Sequence, residues 1–435
     1  MRCVTLGSGS EVSDCDVQSS VSTLPSLPTP APAARPVRIR LDRAITIRTV
    51  AIVAVVLFHA FTVPLGGGGL GDGKALEGNA TSILVALGAA LPRLEQFVII
   101  FFLVAGYFGY RAYQRSRLTQ TRRSRRTFVK FFLWRRFWRL VPVFWVALLF
   151  SYFVSFSDPF SWDGLRKLAV NASLLKTLWP GYFFSINYAH WYVAVQWQLD
   201  LLYPLFLFIV ARRSAGFAVA VAWAVSFFFM FVVPQFTDAA YLRYFPLRWW
   251  AEWSLGVYLA DRHLAGVRLF PRPGWTMLGA AVALMLARAD EVRIVEWLAI
   301  RVLLGAAFEA MLLSRSPRLE VERRMAPIGL CSYSLYLLHI PVQQLVARVW
   351  RLFGGDFSTI GGWCVFAAVS GACAFAVARV STEHVENRFA ALGNRLWRRR
   401  FSIRRWMRLS GRAKTGTTTS TARAVRPAAE QEVGR

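Results

Sequence analysis

Arg48 and His59 close the two ends of "RTVAIVAVVLFH", a stretch whose other residues are uncharged and, Thr49 apart, apolar. Eleven helical steps of about 100° carry the chain only about 20° past three full turns and about 16.5 Å along the axis. A guanidinium and an imidazole therefore share one side of a helix at two depths. Each is an ionisable group in a segment suited to hydrocarbon, so it must be paired or used. An imidazole can serve as a general base near neutral pH, or it can be a histidine hydrogen-bonded inside a helix bundle. A guanidinium can draw an anion or stabilise developing negative charge, or it can pair with a structural carboxylate such as Asp200 or Glu252.

Three further groupings stand out. Arg136 and Arg139 lie at i and i+3, a spacing that suits phosphate recognition by two guanidinium groups. They sit in a block with Arg135, Lys130 and "RRSRR", and basic residues gather at inner helix ends whatever the function. Gln196, Asp200 and Tyr203 form a polar stripe at i, i+4 and i+7, and Ser332, Tyr336 and His339 repeat it. Asp200 is costly in lipid and should face the bundle or a water-filled cavity. The second stripe reads chiefly as interhelical hydrogen bonding, with Pro341 predicting a kink nearby. Five cysteines show no metal-ligand spacing, and no metal site is read from the chain.

The elements that must carry these residues are membrane helices. The 435 residues are 55% hydrophobic, 15% aromatic and only 17% charged, which favours a polytopic membrane protein over a soluble one. The net charge of +28 lies in short Arg clusters between long apolar runs, so it does not describe a basic nucleic-acid-binding domain. Residues 1–40 are rich in Ser, Thr, Pro and Ala and read as a disordered lead-in rather than a signal peptide, since no apolar run follows the early arginine. Residues 41–394 form the membrane domain, and residues 395–435 a basic, largely disordered tail.

Ten apolar segments qualify as spans: Ala44–Pro64, Phe97–Tyr113, Leu140–Phe156, His190–Ala211, Gly216–Val233, Leu247–Ala260, Trp275–Ala287, Ile294–Leu313, Ile328–Trp350 and Gly361–Val380. The fold class is thus all-α, polytopic, with about ten transmembrane helices. Lys and Arg concentrate in alternate loops, which places both termini in the cytoplasm of an inner-membrane protein. Arg48 then lies in the inner half of the first helix and His59 in the outer half. The outer segments Leu65–Gln96 and Ser157–Ala189 are the longest, and the second carries an amphipathic stretch suited to the membrane surface.

Four stretches together resemble the acyltransferase-3 family of integral membrane enzymes. They are the Arg-x10-His element in "LDRAITIRTVAIVAVVLFHAF", the Arg-x-x-Arg element Arg136/Arg139 in "FLWRRFWRLVPVFWVALLF" after "FVIIFFLVAGYFGYR", "HWYVAVQWQLDLLYPLF", and "IGLCSYSLYLLHIPV". The resemblance spans roughly Leu41 to Phe389. It implies transfer of an acyl group, acetyl in the simplest case, from acyl-CoA to a hydroxyl of a polysaccharide or other glycan. His59 would act as the base or transient acyl carrier, Arg48 at the donor and Arg136 and Arg139 at its phosphates. Gln196, Tyr203, Ser332, Tyr336, His339 and Glu386 are the supporting polar residues. The frequent acid of the fourth helix is Gln196 here, and Asp200 one turn later is taken to supply the charge. The implied partners are the lipid bilayer, the glycan acceptor and further envelope-biosynthesis proteins, not nucleic acid. The competing reading is a transporter or flippase of a lipid-linked sugar, against which stands the lack of an internal repeat.

Overall fold

The computed structural model describes residues 41–63, 94, 96–119, 125–155, 158–236, 242, 245–286, 293–314, 320–355, 357 and 359–399. The expected lead-in 1–40, nearly all of the first outer segment and the tail beyond 399 lie outside these residues. Among the described residues every regular element is helical. Twelve α-helices are named in chain order: α1 Leu41–Thr62, α2 Val98–Thr119, α3 Arg125–Ser155, α4 Trp162–Ala172, α5 Trp191–Arg212 and α6 Ala215–Phe227. After them come α7 Trp250–Leu264, α8 Pro273–Leu286, α9 Arg293–Leu313, α10 Glu320–Leu330, α11 Ser332–Leu352 and α12 Ile360–Ser381.

Helix forms at each of the ten apolar segments, but length and composition support fewer spans than ten. Five helical stretches suffice: Arg43–Thr62, Arg126–Ser155, Tyr188–Arg212, Ala215–Gln235 and Ile360–Arg399. Glu322–Leu330 and Ser332–Leu352 qualify together as a sixth, bent by 77°. The remaining four fall short for physical reasons. Helix α7 has 15 residues and α8 has 14, where about 20 are needed to cross the hydrocarbon. In α2 the tyrosines and arginines of the C-terminal half dilute the apolar run, and α9 carries Glu296, Arg301 and Glu309. The sharp bend falls at Cys331, between α10 and α11, while α11 runs on through Pro341.

Helix starts follow their caps. Ser161, Ser214 and Thr359 each accept a hydrogen bond from the amide three residues on, satisfying a donor that the first turn leaves free. The helices pack through small residues. A Cβ added at Gly106 of α2 would lie 2.0 Å from the Trp253 carbonyl oxygen, and one at Gly256 of α7 would lie 2.2 Å from the Leu103 carbonyl oxygen. These two helices are therefore in backbone contact, as small residues permit in the absence of a hydrophobic drive between spans. Exposed Leu57, Trp145, Phe153, Leu201 and Val369 lie on the outward faces of the spans, where lipid is their solvent.

Helix α1 is held near its N-terminal end by α10. Arg43 Nη1 donates to both Glu322 carboxylate oxygens at 3.0 and 2.9 Å, and Gly329 packs so closely that a Cβ would meet the Ile45 carbonyl at 2.4 Å. This clamp fixes the rotation of α1 against α10, and hence the direction of Arg48.

Candidate active site

Arg48 opens onto a cavity of about 340 Å³ bounded by α1, α2, α3, α5 and α11. Arg135, Arg136 and Arg139 line it as well, with Glu386, Tyr192, Gln196, Ser332 and Tyr336. The two carboxylates that could neutralise Arg48 are engaged elsewhere. Glu252 is bound by Arg301, and Asp200 by Arg136. Among the described residues no carboxylate comes within 4 Å of Arg48, although Arg136, Arg139 and Glu386 are within electrostatic reach. The cavity thus presents more cationic than anionic groups, a setting that attracts an anion.

Arg136 and Arg139 point into this cavity from one face of α3, each with a counter-ion. Arg136 Nε lies 3.3 Å from Asp200 Oδ2, and Gln196 Nε2 donates to Asp200 Oδ1 at 3.0 Å. Arg139 Nε lies 3.7 Å from Glu386 Oε1, and Ser334 Oγ donates to Glu386 Oε2 at 3.0 Å. A π turn, Thr382–Glu386, interrupts α12 where Glu386 enters the bundle. Asp200 is buried behind Arg136 and is not among the residues lining the cavity. It meets Arg136 as a counter-ion, one turn from the Gln196 amide that orients it.

His59 lies beyond the cavity, reached through a row of rings. Tyr192 and Tyr336 line the cavity with ring centroids 5.2 Å apart. Tyr336 is 5.7 Å from His339, His339 is 4.8 Å from His59, and His59 is 5.2 Å from Tyr188. His59 is buried, with Nδ1 3.0 Å from the Val55 carbonyl and 2.9 Å from His339 Nε2. His339 Nδ1 lies 3.1 Å from the Leu335 carbonyl.

Carbonyls only accept, so each Nδ1 facing one is best satisfied as N–H. Neutral His339 then has a bare Nε2, which accepts from His59 Nδ1–H. His59 Nε2 is left without a hydrogen, and no protein partner to it is found among the described residues.

The supporting residues divide. Ser332, Tyr336, Gln196 and Glu386 come together around the cavity, and His339 meets His59. Tyr336 Oη donates to the Ala189 carbonyl at 2.6 Å, so this stripe does form the interhelical bonds expected of it. Tyr203 does not join the site. It is buried among Phe132, Trp253 and Phe128, as a core ring.

Several residues at the site carry no signal in the sequence. Asn187 Nδ2 reaches Ser151 Oγ and its Oδ1 caps Ala189 N, while His190 Nε2 lies 3.1 Å from the Leu337 carbonyl. They lash the turn before α5 to α11 and so place Tyr188 beside His59. Lys176 is buried with its Nζ donating to the Asn187 carbonyl at 3.0 Å, and burial lowers its pKa to about 7. Among the described residues no three of His, Cys, Asp or Glu cluster as a metal site would require.

A family model described as an acyltransferase domain matches residues 42–379, more than half of the chain. Neither a search of the curated proteins nor one of the solved structures gives a match.

Proposed function

The chain belongs to the acyltransferase-3 family, and from this membership we infer a membrane O-acyltransferase that uses acyl-CoA, acetyl in the simplest case, to acylate a hydroxyl of an extracytoplasmic glycan. The observation that carries the reading is the state of His59. Its Nδ1 lies 3.0 Å from the Val55 carbonyl and 2.9 Å from His339 Nε2, which is best satisfied with Nδ1 as N–H and Nε2 bare, and on the same helix Arg48 has no carboxylate within 4 Å among the described residues.

In this reading Arg136, Arg139 and Arg48 bind the donor. The two α3 arginines meet phosphate of coenzyme A at the inner side, and Arg48 meets negative charge deeper along the arm, including charge developing on the thioester carbonyl. The acceptor hydroxyl gives its proton to His59 Nε2 as its oxygen attacks the thioester carbon. The C–S bond then breaks, and the departing thiolate takes the proton back from His59. Asp200 and Glu386 hold the arginines in place rather than reacting.

The same proposal keeps an inner-membrane protein with both termini cytoplasmic, and further envelope-biosynthesis proteins supplying or receiving the glycan. The lasting asymmetry of Lys and Arg between loops supports it. Purified protein incubated with acetyl-CoA tests the chemistry. Release of free coenzyme A that rises with a glycan acceptor supports transfer. Movement of a lipid-linked sugar with no thioester consumption would instead establish the transporter reading. Mass analysis of envelope glycans with and without the protein would then identify the acceptor by a missing acyl mass.

A further inference from the structure

We propose that His339 is the positioning residue for His59, working as the neutral acceptor that aims and supports the base; this rests on the reading of His59 as general base. The two rings come from helices far apart in the chain, yet His339 Nε2 and His59 Nδ1 are 2.9 Å apart in a buried site. The orientation of His339 is itself set from behind, by its Nδ1–H on the Leu335 carbonyl four residues earlier.

A backbone bond to Val55 alone holds His59 from its own helix. The second acceptor, from α11, restrains the ring from another direction, so the ring plane is set by two helices at once. The arrangement also matters in the reaction. When His59 takes a proton at Nε2 it becomes a cation. Among the described residues no carboxylate is within 4 Å of either ring, so the neutral His339 imidazole, beside the Val55 carbonyl, is the side-chain support available to that cation. The relation is that of the orienting carboxylate to the histidine of a hydrolytic triad, with an imidazole in the carboxylate's place. Tyr336, one turn earlier on α11, lines the basic cavity, so the residue that aims the base is carried by the helix that borders the donor.

The test is steady-state kinetics on the full chain in detergent or nanodiscs with acetyl-CoA and an acceptor. His339→Leu removes the acceptor atom and is expected to lower kcat about 10- to 100-fold, the usual cost of losing an orienting partner, with KM for acetyl-CoA within about twofold. His339→Gln returns an acceptor at a similar reach and is expected to recover most of that loss. In a His59→Ala background His339→Leu should cost nothing further, since the two act as a unit.

Wild-type kcat in His339→Leu, or His339→Gln no better than His339→Leu, would overturn the assignment. Should His339→Leu be lost from the membrane, His339→Met takes its place in the same comparison. The two readings separate cleanly. An active His59→Ala protein removes the general base itself, whereas an inactive His59→Ala beside a fully active His339→Leu removes only the role of His339.

Discussion

Arg136 on α3 and Asp200 on α5 form a buried ion pair, with Nε 3.3 Å from Oδ2 and the Asp200 side chain fully enclosed. The pair makes Arg136 and Arg139 unequal. Arg136→Ala strands a buried carboxylate, a change that costs about 3 kcal/mol or more. Arg139 is half-exposed, and its partner Glu386 also accepts from Ser334. Arg136→Ala is therefore expected to lower the thermal midpoint in detergent, with Asp200→Asn restoring part of it in the double variant. Arg139→Ala is expected to keep the midpoint and raise KM for acyl-CoA. Equal melting of the two single variants would show that the pair contributes nothing to stability.

Replacing His59 tests the base directly. His59→Ala should reduce turnover about a hundred- to ten-thousand-fold, while the protein still inserts, since a small apolar residue is well tolerated in an apolar helix. Arg48→Lys should retain more activity than Arg48→Ala if charge, rather than the planar fork, is what the donor meets. Membrane levels and acyl transfer measured on the same preparations decide this, and a His59→Ala enzyme near wild-type rate would contradict it.

The contact between α2 and α7 predicts a stability effect far from the site. Gly106→Ala places a methyl where the Trp253 carbonyl oxygen stands, so the helices must separate. Gly279 of α8 has nothing within 4 Å of the corresponding position, which makes Gly279→Ala the matched control. Thermal melting should fall clearly for the first and stay level for the second. Two equal curves would mean that the close crossing is not a stability determinant.

Lys176 predicts a dependence on pH. Burial lowers its pKa to about 7 in the native protein, against about 10.5 when exposed. Between these values the unfolded chain holds a proton that the native state does not, so stability rises with pH across that window. Below pH 7 both states are protonated, and the cost of burying the ammonium is present in full. Lys176→Met is accordingly expected to be more stable than wild type near about pH 6.5, with the gap narrowing towards about pH 9.5. Melting curves at both values check it, and a gap that widens with pH would reverse the sign.

Reporter fusions test the membrane topology that the loop charges imply. A fusion at Thr119 should read as cytoplasmic and one at Ser161 as outside. The opposite result at Thr119 would invert the whole assignment of donor and acceptor sides.

The helical class and the helix positions were legible because they depend on short-range periodicity and apolar run length, which are local properties. So was the Arg136/Arg139 pair, whose spacing is set within one helix. What local pattern cannot contain is which helix faces which, and at what rotation. The pairing of His59 with His339, the capture of Asp200 by Arg136 and the release of Arg48 from both candidate carboxylates follow from how α1, α3, α5 and α11 cross. Those crossings are set by contacts such as Gly329 on Ile45 and the Arg43–Glu322 clamp, between residues far apart in the chain. The bend at Cys331 shows the same division. Pro341 is the residue that a helix rule singles out, yet tertiary packing set the break ten residues earlier, where α10 turns aside to hold α1. Sequence supplied the ionisable groups and their spacing along each helix, and only the packing of distant helices decided which of them were paired with one another.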